Sequence, residues 1–382
     1  MTLATAKNKQ STNRGGFSDR LISKSDISWR MKPVAIEVFA GAGGAGLGLE
    51  WAGFDTRVAV EIDTTKAGTY SLNHPHTHVL GANGTRGDIH DVSGKDLAGI
   101  AKIDDTGLDL LVGCAPCQGF SVRGKRDPND PRNRLYLEFV RLARELRPRA
   151  MVFENVPGFV YLYDGDFLQD LKSRLEKIGY KIAVWSLRAS DLGVPQIRQR
   201  VFVVGMRDKA PGTPPPRKRG PKVNVWNSIS DLPVARPRER GASSAFLPYR
   251  RPPPSVYAAF LRGRNAKVDS CERTRHQPAL VKRFRAIRWW QMDRPTRHRR
   301  LHPHRPAPTI TAGTRDLTSC RPVHPYADRV LTVREAARLA SFPDWYRFPP
   351  LTAEAWSQIG NAVPPLMAQA VFGRVKSFLD SG

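Results

Sequence analysis

Cysteine is scarce. Four in 382 residues, at positions 114, 117, 271 and 320, make no disulfide framework, which suits a reducing compartment. Long apolar runs are missing too: no stretch of about 18 apolar residues occurs, which excludes a membrane-spanning helix. The opening MTLATAKNKQSTNRGGFSDR lacks the apolar core of a secretory leader, and Asp19 and Asp26 argue against a transit peptide. Acid is in deficit, with 35 Asp plus Glu against 61 Lys plus Arg and a formal net charge of +26. Such a field favours a polyanion, through pairing with phosphates and release of counterions. A generically basic surface is the duller explanation, and the clustering of the excess argues against it.

What is present suffices for a core: 40% hydrophobic residues and eight Trp, in a chain long enough for one large domain and a smaller one. Residues 1–30 read as a basic arm without ordered structure. From 31 to 207 short apolar runs alternate with helical patterns. VAIEVF, RVAVEI, LDLLVG, RAMVFE, IAVWSL and VFVVGM read as buried strands. Between them, Leu135, Phe139, Leu142 and Leu146 fall on one helical face, which Pro148 stops. Phe167, Leu171, Leu175 and Ile178 fall on another, which Gly179 stops. The alternation predicts an α/β, doubly wound, mostly parallel Rossmann-like sheet, with ligands beyond the carboxyl ends of its strands.

At about residue 208 the texture changes. KAPGTPPPRKRGPK and RRPPPS are rich in Pro and Arg, and VKRFRAIRWWQMDRPTRHRRLHPHRP interleaves Arg and His with Phe284, Trp289 and Trp290. That mixture suits phosphate contact with stacking, or equally a Trp pair anchoring a small core. Residues 208–304 read as a second, smaller irregular domain. Periodic order returns over 305–382, where Thr332 and Glu335 have capping-box spacing ahead of Val333, Ala336, Ala337 and Ala340.

Several stretches carry chemistry. In FAGAGGAGLGLEWAGF (39–54), Gly41, Gly43 and Gly46 spell G-x-G-x-x-G, and Glu61 follows Gly41 by 20 residues, as in a dinucleotide-binding fold. Taken alone this suggests a nicotinamide dehydrogenase. GCAPCQGFS (113–121) puts Cys117 just beyond a strand, where a thiolate would be a good nucleophile. Cys114 and Cys117 also match the C-x-x-C of thiol redox proteins or half a zinc site, although no second pair stands at zinc spacing. FENV (153–156) ends the next strand, where partial desolvation would raise the pKa of Glu154 toward that of a general acid. A solvated, inert Glu is the commoner outcome for such a residue taken singly. In QIRQR (196–200), Gln196, Arg198 and Arg200 project to one side of an extended segment. They would bind phosphate or a base edge in the crevice, or form an edge-strand charge row.

EVFAGAGG, GCAPCQGFS, FENV, QIRQR, RPAPTI (305–310) and QIGNAVP (358–364) occur in an order and spacing that resembles the cytosine-C5 DNA methyltransferases, over about residues 33–207 and 305–382. The resemblance implies methyl transfer from S-adenosylmethionine to C5 of a flipped-out cytosine in a specific duplex DNA sequence. Cys117 would add to C6, Glu154 would hold N3 and the exocyclic amine, and Arg198 would bind the carbonyl oxygen or support Glu154. Arg200 would complete the catalytic set or contact phosphate, and Gln118, Ser121, Gln196 and Arg198 would meet the substrate. Phe39, Gly41, Gly43, Gly44, Glu61, Ile62, Asp88, Ile89, Pro116, Asn361 and Val363 would hold the cofactor, with Gly46 a packing residue and no metal. Residues 208–304 would be the target-recognition domain. The resemblance further implies a monomeric, cytoplasmic, nucleoid-associated bacterial enzyme and leaves room for a cognate restriction endonuclease. Glu37 stands where Asp is commoner, and Cys114 and Ala115 where Gly and Pro are. Three other readings remain: an RNA (tRNA) cytosine-C5 methyltransferase, the dehydrogenase, and a DNA protein that only binds.

Overall fold

Each apolar run sorts its side chains to two faces, because successive residues of a strand point opposite ways. In β1 (Val34–Val38), Ala35 joins one core and Ile36 and Val38 the other; in β4 (Leu110–Gly113), Leu110 and Val112 part from Leu111 in the same way. The structure, a computed structural model, describes residues 32–105, 107–116, 130–237, 244–312 and 321–381. The expected basic arm therefore lies outside the described residues. With β2 (Asp55–Val60), β3 (His78–Leu80), β5 (Ala150–Asn155), β6 (Lys181–Arg188) and β7 (Gln199–Met206), these strands form a seven-stranded sheet in the order β3-β2-β1-β4-β5-β7-β6. Only β7 runs antiparallel to its neighbours. The six apolar runs all form strands. β3 was not anticipated, because three residues are too short to show a period.

Helices cover both faces. Gly44–Trp51 and the last helix, Pro365–Asp380, close one; Tyr136–Leu146 and Asp166–Lys177 close the other through Phe139, Leu142, Leu171 and Leu175. A third core joins Val225, Ile229 and Leu301 to Ile310, Ala336 and Trp356. A smaller cluster holds Phe284, Ile287, Val323 and Val330. Phe284 thus anchors a core, while Trp289 is 45% exposed. The helix Val333–Leu339 starts at Thr332 with the expected capping box.

That helix also buries a charge the periodicity did not announce. Arg338 has no exposed side-chain surface, nor do its partners Asp231 (3.0 Å) and Asp344 (2.6 Å). It also donates to the Ser228 carbonyl at 2.8 Å, so one guanidinium ties the segment around residue 230 to the closing helices. Removing one member of a buried ion pair leaves an uncompensated charge, at a cost of roughly 3–5 kcal/mol. Arg338→Met should lower unfolding free energy by about that much in urea titration.

Glu37 lies in β1 with no exposure, and Tyr70 Oη donates to its Oε2 at 2.8 Å. Burial pushes its pKa up to about 8, and the nearby Glu50 and Glu61 push the same way. The folded state therefore binds a proton that the unfolded chain has released above about pH 4.5. The stability gained by keeping that proton is full below the unfolded pKa and is lost as pH rises through about 8. The melting temperature of Glu37→Gln relative to wild type should climb from pH 5 to pH 9. A difference that stays flat across that range would mean Glu37 is ionised in the fold.

Candidate active site

The strand order reverses between β1 and β4, and a crevice at such a point is where open α/β sheets bind ligands. A cavity of about 480 Å³ lies there. Phe39 and Gly41 line it from the loop after β1, and Gly44 from the start of the following helix. Phe39 takes a left-handed φ of 56°, uncommon for a residue with a bulky side chain and a form of strain that clusters at functional sites. Gly43 does not line the cavity but shapes the loop behind it. Its φ is 87°, and a Cβ there would come within 2.5 Å of His74 Nε2 and Tyr346 Oη. Gly46, on the following helix, packs so close to Tyr70 that a Cβ would meet its hydroxyl at 2.4 Å.

Glu61 and Ile62 enter from the end of β2. The Glu61 carboxylate is 8% exposed and accepts the Gly41 amide at 2.8 Å and the Asp63 amide at 3.0 Å. It thereby clamps the glycine loop while reaching the cavity. Ile62 is 65% exposed, an apolar side chain left against the opening. Asp88 and Ile89 form the next wall, with Asp88 oriented by the His90 amide at 3.0 Å. Pro116 extends from β4, and Asn361 and Val363 close the cavity from the C-terminal segment.

Glu154 reaches the same cavity from β5, beside β4. Burial raises its pKa; Arg200 and Arg198 oppose the rise without cancelling it. Arg200 Nε stands 2.7 Å from Glu154 Oε1, on the neighbouring β7, and also lines the cavity. Arg198 and Gln196, expected to face the crevice beside Arg200, are instead buried under the C-terminal segment. Arg198 donates to the carbonyls of Ile310 (3.0 Å), Gly360 (2.9 Å) and Asn361 (3.3 Å). The Gln196 side chain donates to the Leu339 carbonyl and accepts the Ile310 amide, each at 3.2 Å. The physical reason is pairing: Gln196 bridges in parallel to Ala307, so RPAPTI lies beside QIRQR and covers that side of it.

Cys117, Gln118 and Ser121 lie outside the described residues. Cys114 lines the cavity with its thiol pKa pushed well up, chiefly by burial and then by the charges of Glu154 and Glu37. A thiol so held stays protonated and makes a poor nucleophile. Arg132 and Gln358 also line the cavity, and the sequence reading missed both. Among the described residues, no group of side chains could hold a metal ion and no helix is long and apolar enough to cross a membrane.

Comparison with known proteins agrees with this geometry. The sequence model of a family described as C-5 cytosine-specific DNA methylase matches residues 34–377. The Type II methyltransferase M.XorII of Xanthomonas oryzae is 37% identical over 91% of this chain and 85% of its own. M.DdeI of Desulfomicrobium norvegicum, also a Type II methyltransferase, is 34% identical over 91% and 89%. Among solved structures, an E. coli prophage-encoded DNA modification methyltransferase superposes with a TM-score of 0.79 at 29% identity, covering 91% of this chain and 99% of that one. The Dnmt2 methyltransferase of S. pombe matches at 0.59 and 18% identity, covering 91% and 100%, a likeness of fold alone. The glycine loop, the acid at the end of β2 and the Glu154–Arg200 pair thus stand in a chain that belongs to the C-5 cytosine-specific DNA methylase family and is a DNA (cytosine-5-)-methyltransferase.

Proposed function

We propose that the chain methylates C5 of a cytosine swung out of duplex DNA at a specific sequence, with Cys117 as the attacking nucleophile. The observation that carries this reading is the buried Glu154–Arg200 pair, 2.7 Å apart, in the cavity that also receives Pro116, the residue before Cys117. C5 of cytosine is too electron-poor to take up a methyl group unaided. Addition of the Cys117 thiolate to C6 breaks the C5–C6 double bond and moves its electron pair onto C5. Glu154, held toward its protonated form by burial, donates to N3 as negative charge builds there, and accepts from the exocyclic amine. Arg200, rather than Arg198, stands where it can fix Glu154 and reach the ring carbonyl. Once C5 has taken up a methyl group, loss of its proton to solvent water re-forms the C5–C6 double bond and expels the thiolate. Since C6 is shielded within the stack, the base must leave the helix, at a cost of a few kcal/mol.

S-adenosylmethionine fits the cavity. A near-buried carboxylate at Glu61 suits a sugar diol, Ile62 and Phe39 offer apolar walls to a purine, Asp88 can accept from an adenine amine, and the Gly41 position leaves open space where a Cβ would stand. When bound, it supplies the sulfonium-activated methyl group that the electron-rich C5 takes up. Asn361 and Val363 would close the cavity over it from the C-terminal segment, which Arg198 holds in place. Residues 208–304 act as the target-recognition domain, and the enzyme works as a monomer, alone or beside a cognate endonuclease.

Tritiated methyl transfer to duplex DNA tests the reading. Wild type should label duplex DNA well above transfer RNA, and Cys117→Ala should label neither. Preference for transfer RNA would move the enzyme to the RNA branch, and wild-type rates in Cys117→Ala would remove the nucleophile. Glu154→Gln should lower kcat by about 10²- to 10⁴-fold with little change in DNA affinity. Arg200→Ala should lower kcat as well, and should move the alkaline loss of rate to higher pH, because Glu154 without its cation keeps its proton longer.

A further inference from the structure

Away from the cavity, three aromatic rings cross the surface of the irregular segment in edge contact. Trp226 and Tyr326 have centroids 4.6 Å apart, and Tyr326 and Trp289 5.6 Å, with planes at 74° and 88°. Such rings normally mark a core, yet Tyr326 is 50% and Trp289 45% exposed. They are nonetheless held rigidly. Trp289 Nε1 donates to the Pro325 carbonyl at 3.0 Å, and His324 Nδ1 accepts the amides of Tyr326 (3.1 Å) and Ala327 (3.0 Å). Burial pushes the His324 pKa down to about 4, so its ring is neutral and free to accept. Tyr326 is therefore presented on a pinned turn, with its ring outward.

Two hollows, of about 760 and 730 Å³, share Arg285, Tyr326 and Asp328 as a common wall. Arg250, Arg275 and Arg288 stand exposed around them, and the Arg251 guanidinium lies 5.8 Å from the Trp226 ring. The acid in that wall, Asp328, is engaged by Arg285 (3.2 Å) and Arg300 (2.8 Å). The surface thus offers flat apolar rings inside a cationic rim. A protein partner would have to bring carboxylates to the exposed Arg250, Arg275 and Arg288 as well as an apolar face to the rings. A nucleotide supplies both complements at once, a π-face for the rings and phosphate for the rim.

We propose that Trp226, Tyr326 and Trp289 form a stacking site for an unpaired DNA base, distinct from the catalytic cavity, with Arg250 and Arg288 taking the flanking phosphates. The inference rests on the reading that the substrate is DNA. Paired bases hide their faces in the stack, so the site engages only where the duplex is opened.

Binding of the full chain to a short duplex, and to the same duplex with one bulged adenine, tests it. Wild type should prefer the bulged duplex, Tyr326→Ala and Trp289→Ala should lose that preference by about tenfold, and Tyr326→Phe should keep it. Arg288→Ala should weaken the bulged duplex more than the fully paired one and flatten the salt dependence of bulge binding. Equal binding of both duplexes by wild type, or an intact preference in Tyr326→Ala and Trp289→Ala, would overturn the site. Methyl transfer to DNA by wild type, measured alongside, separates the two failures. If it is present while the ring variants behave as wild type, only the stacking site fails; if it is absent, the DNA reading fails.

Discussion

The guanidinium of Arg198 is the interaction on which the site depends. A sheet whose last strand ends at Met206 has an open crevice at its switch point, with walls from β1, β2, β4 and β5 but nothing to shut it. From Met206 the chain travels 155 residues before it returns with Asn361 and then Val363. Arg198 receives that return by donating to the Ile310, Gly360 and Asn361 carbonyls. Those carbonyls belong to irregular backbone and a helix end, where orphaned acceptors otherwise carry a desolvation cost. One planar fork with several donors meets this need where a lysine's point charge would not.

The same device recurs. Arg300 is buried among the carbonyls of Phe284, Ile287 and His324, and Arg334 among those of Asp269, Pro343 and Tyr346. Arg338 does the like for Ser228 between two aspartates. Part of the arginine excess that suggests a polyanion partner is therefore internal, holding together segments with little regular structure. The remainder, such as Arg250 and Arg288, is exposed on the irregular segment. Net charge alone does not distinguish these two uses.

The sheet was legible because each strand is a short apolar run and each helix keeps a 3.6-residue face. The capping box at Thr332 was legible because its two partners are three residues apart. Phe39, Glu61 and Glu154 were legible as neighbours because each sits at a strand end or just past one, and the strands share one edge of the sheet; Asp88, eight residues past the unanticipated β3, was placed by the family resemblance alone. Arg198 and Arg200 were not separable, since an extended segment sends both the same way and only the covering strand-like segment at Ala307 distinguishes them. The buried protonation of Glu37 had a signal, an acid inside the run VAIEV, but its cause is burial by elements far away in sequence, and the Tyr70 hydroxyl that donates to it pulls the other way. The aromatic row had half a signal, Trp289 within an Arg- and His-rich stretch, and its other members could not be joined to it because Trp226 and Tyr326 are a hundred residues apart in sequence.

The central claim is covalent catalysis by Cys117 in a cavity that Glu154 and Arg200 complete. Duplex DNA carrying 5-fluorocytosine tests it most directly, because a C5 that bears fluorine cannot shed a proton after methylation and the thiolate cannot leave. Incubation with S-adenosylmethionine, denaturing electrophoresis and peptide mass mapping should give a stable complex with the base on Cys117. An adduct on Cys114, or methylation of ordinary DNA with no trapped complex at all, would contradict the account.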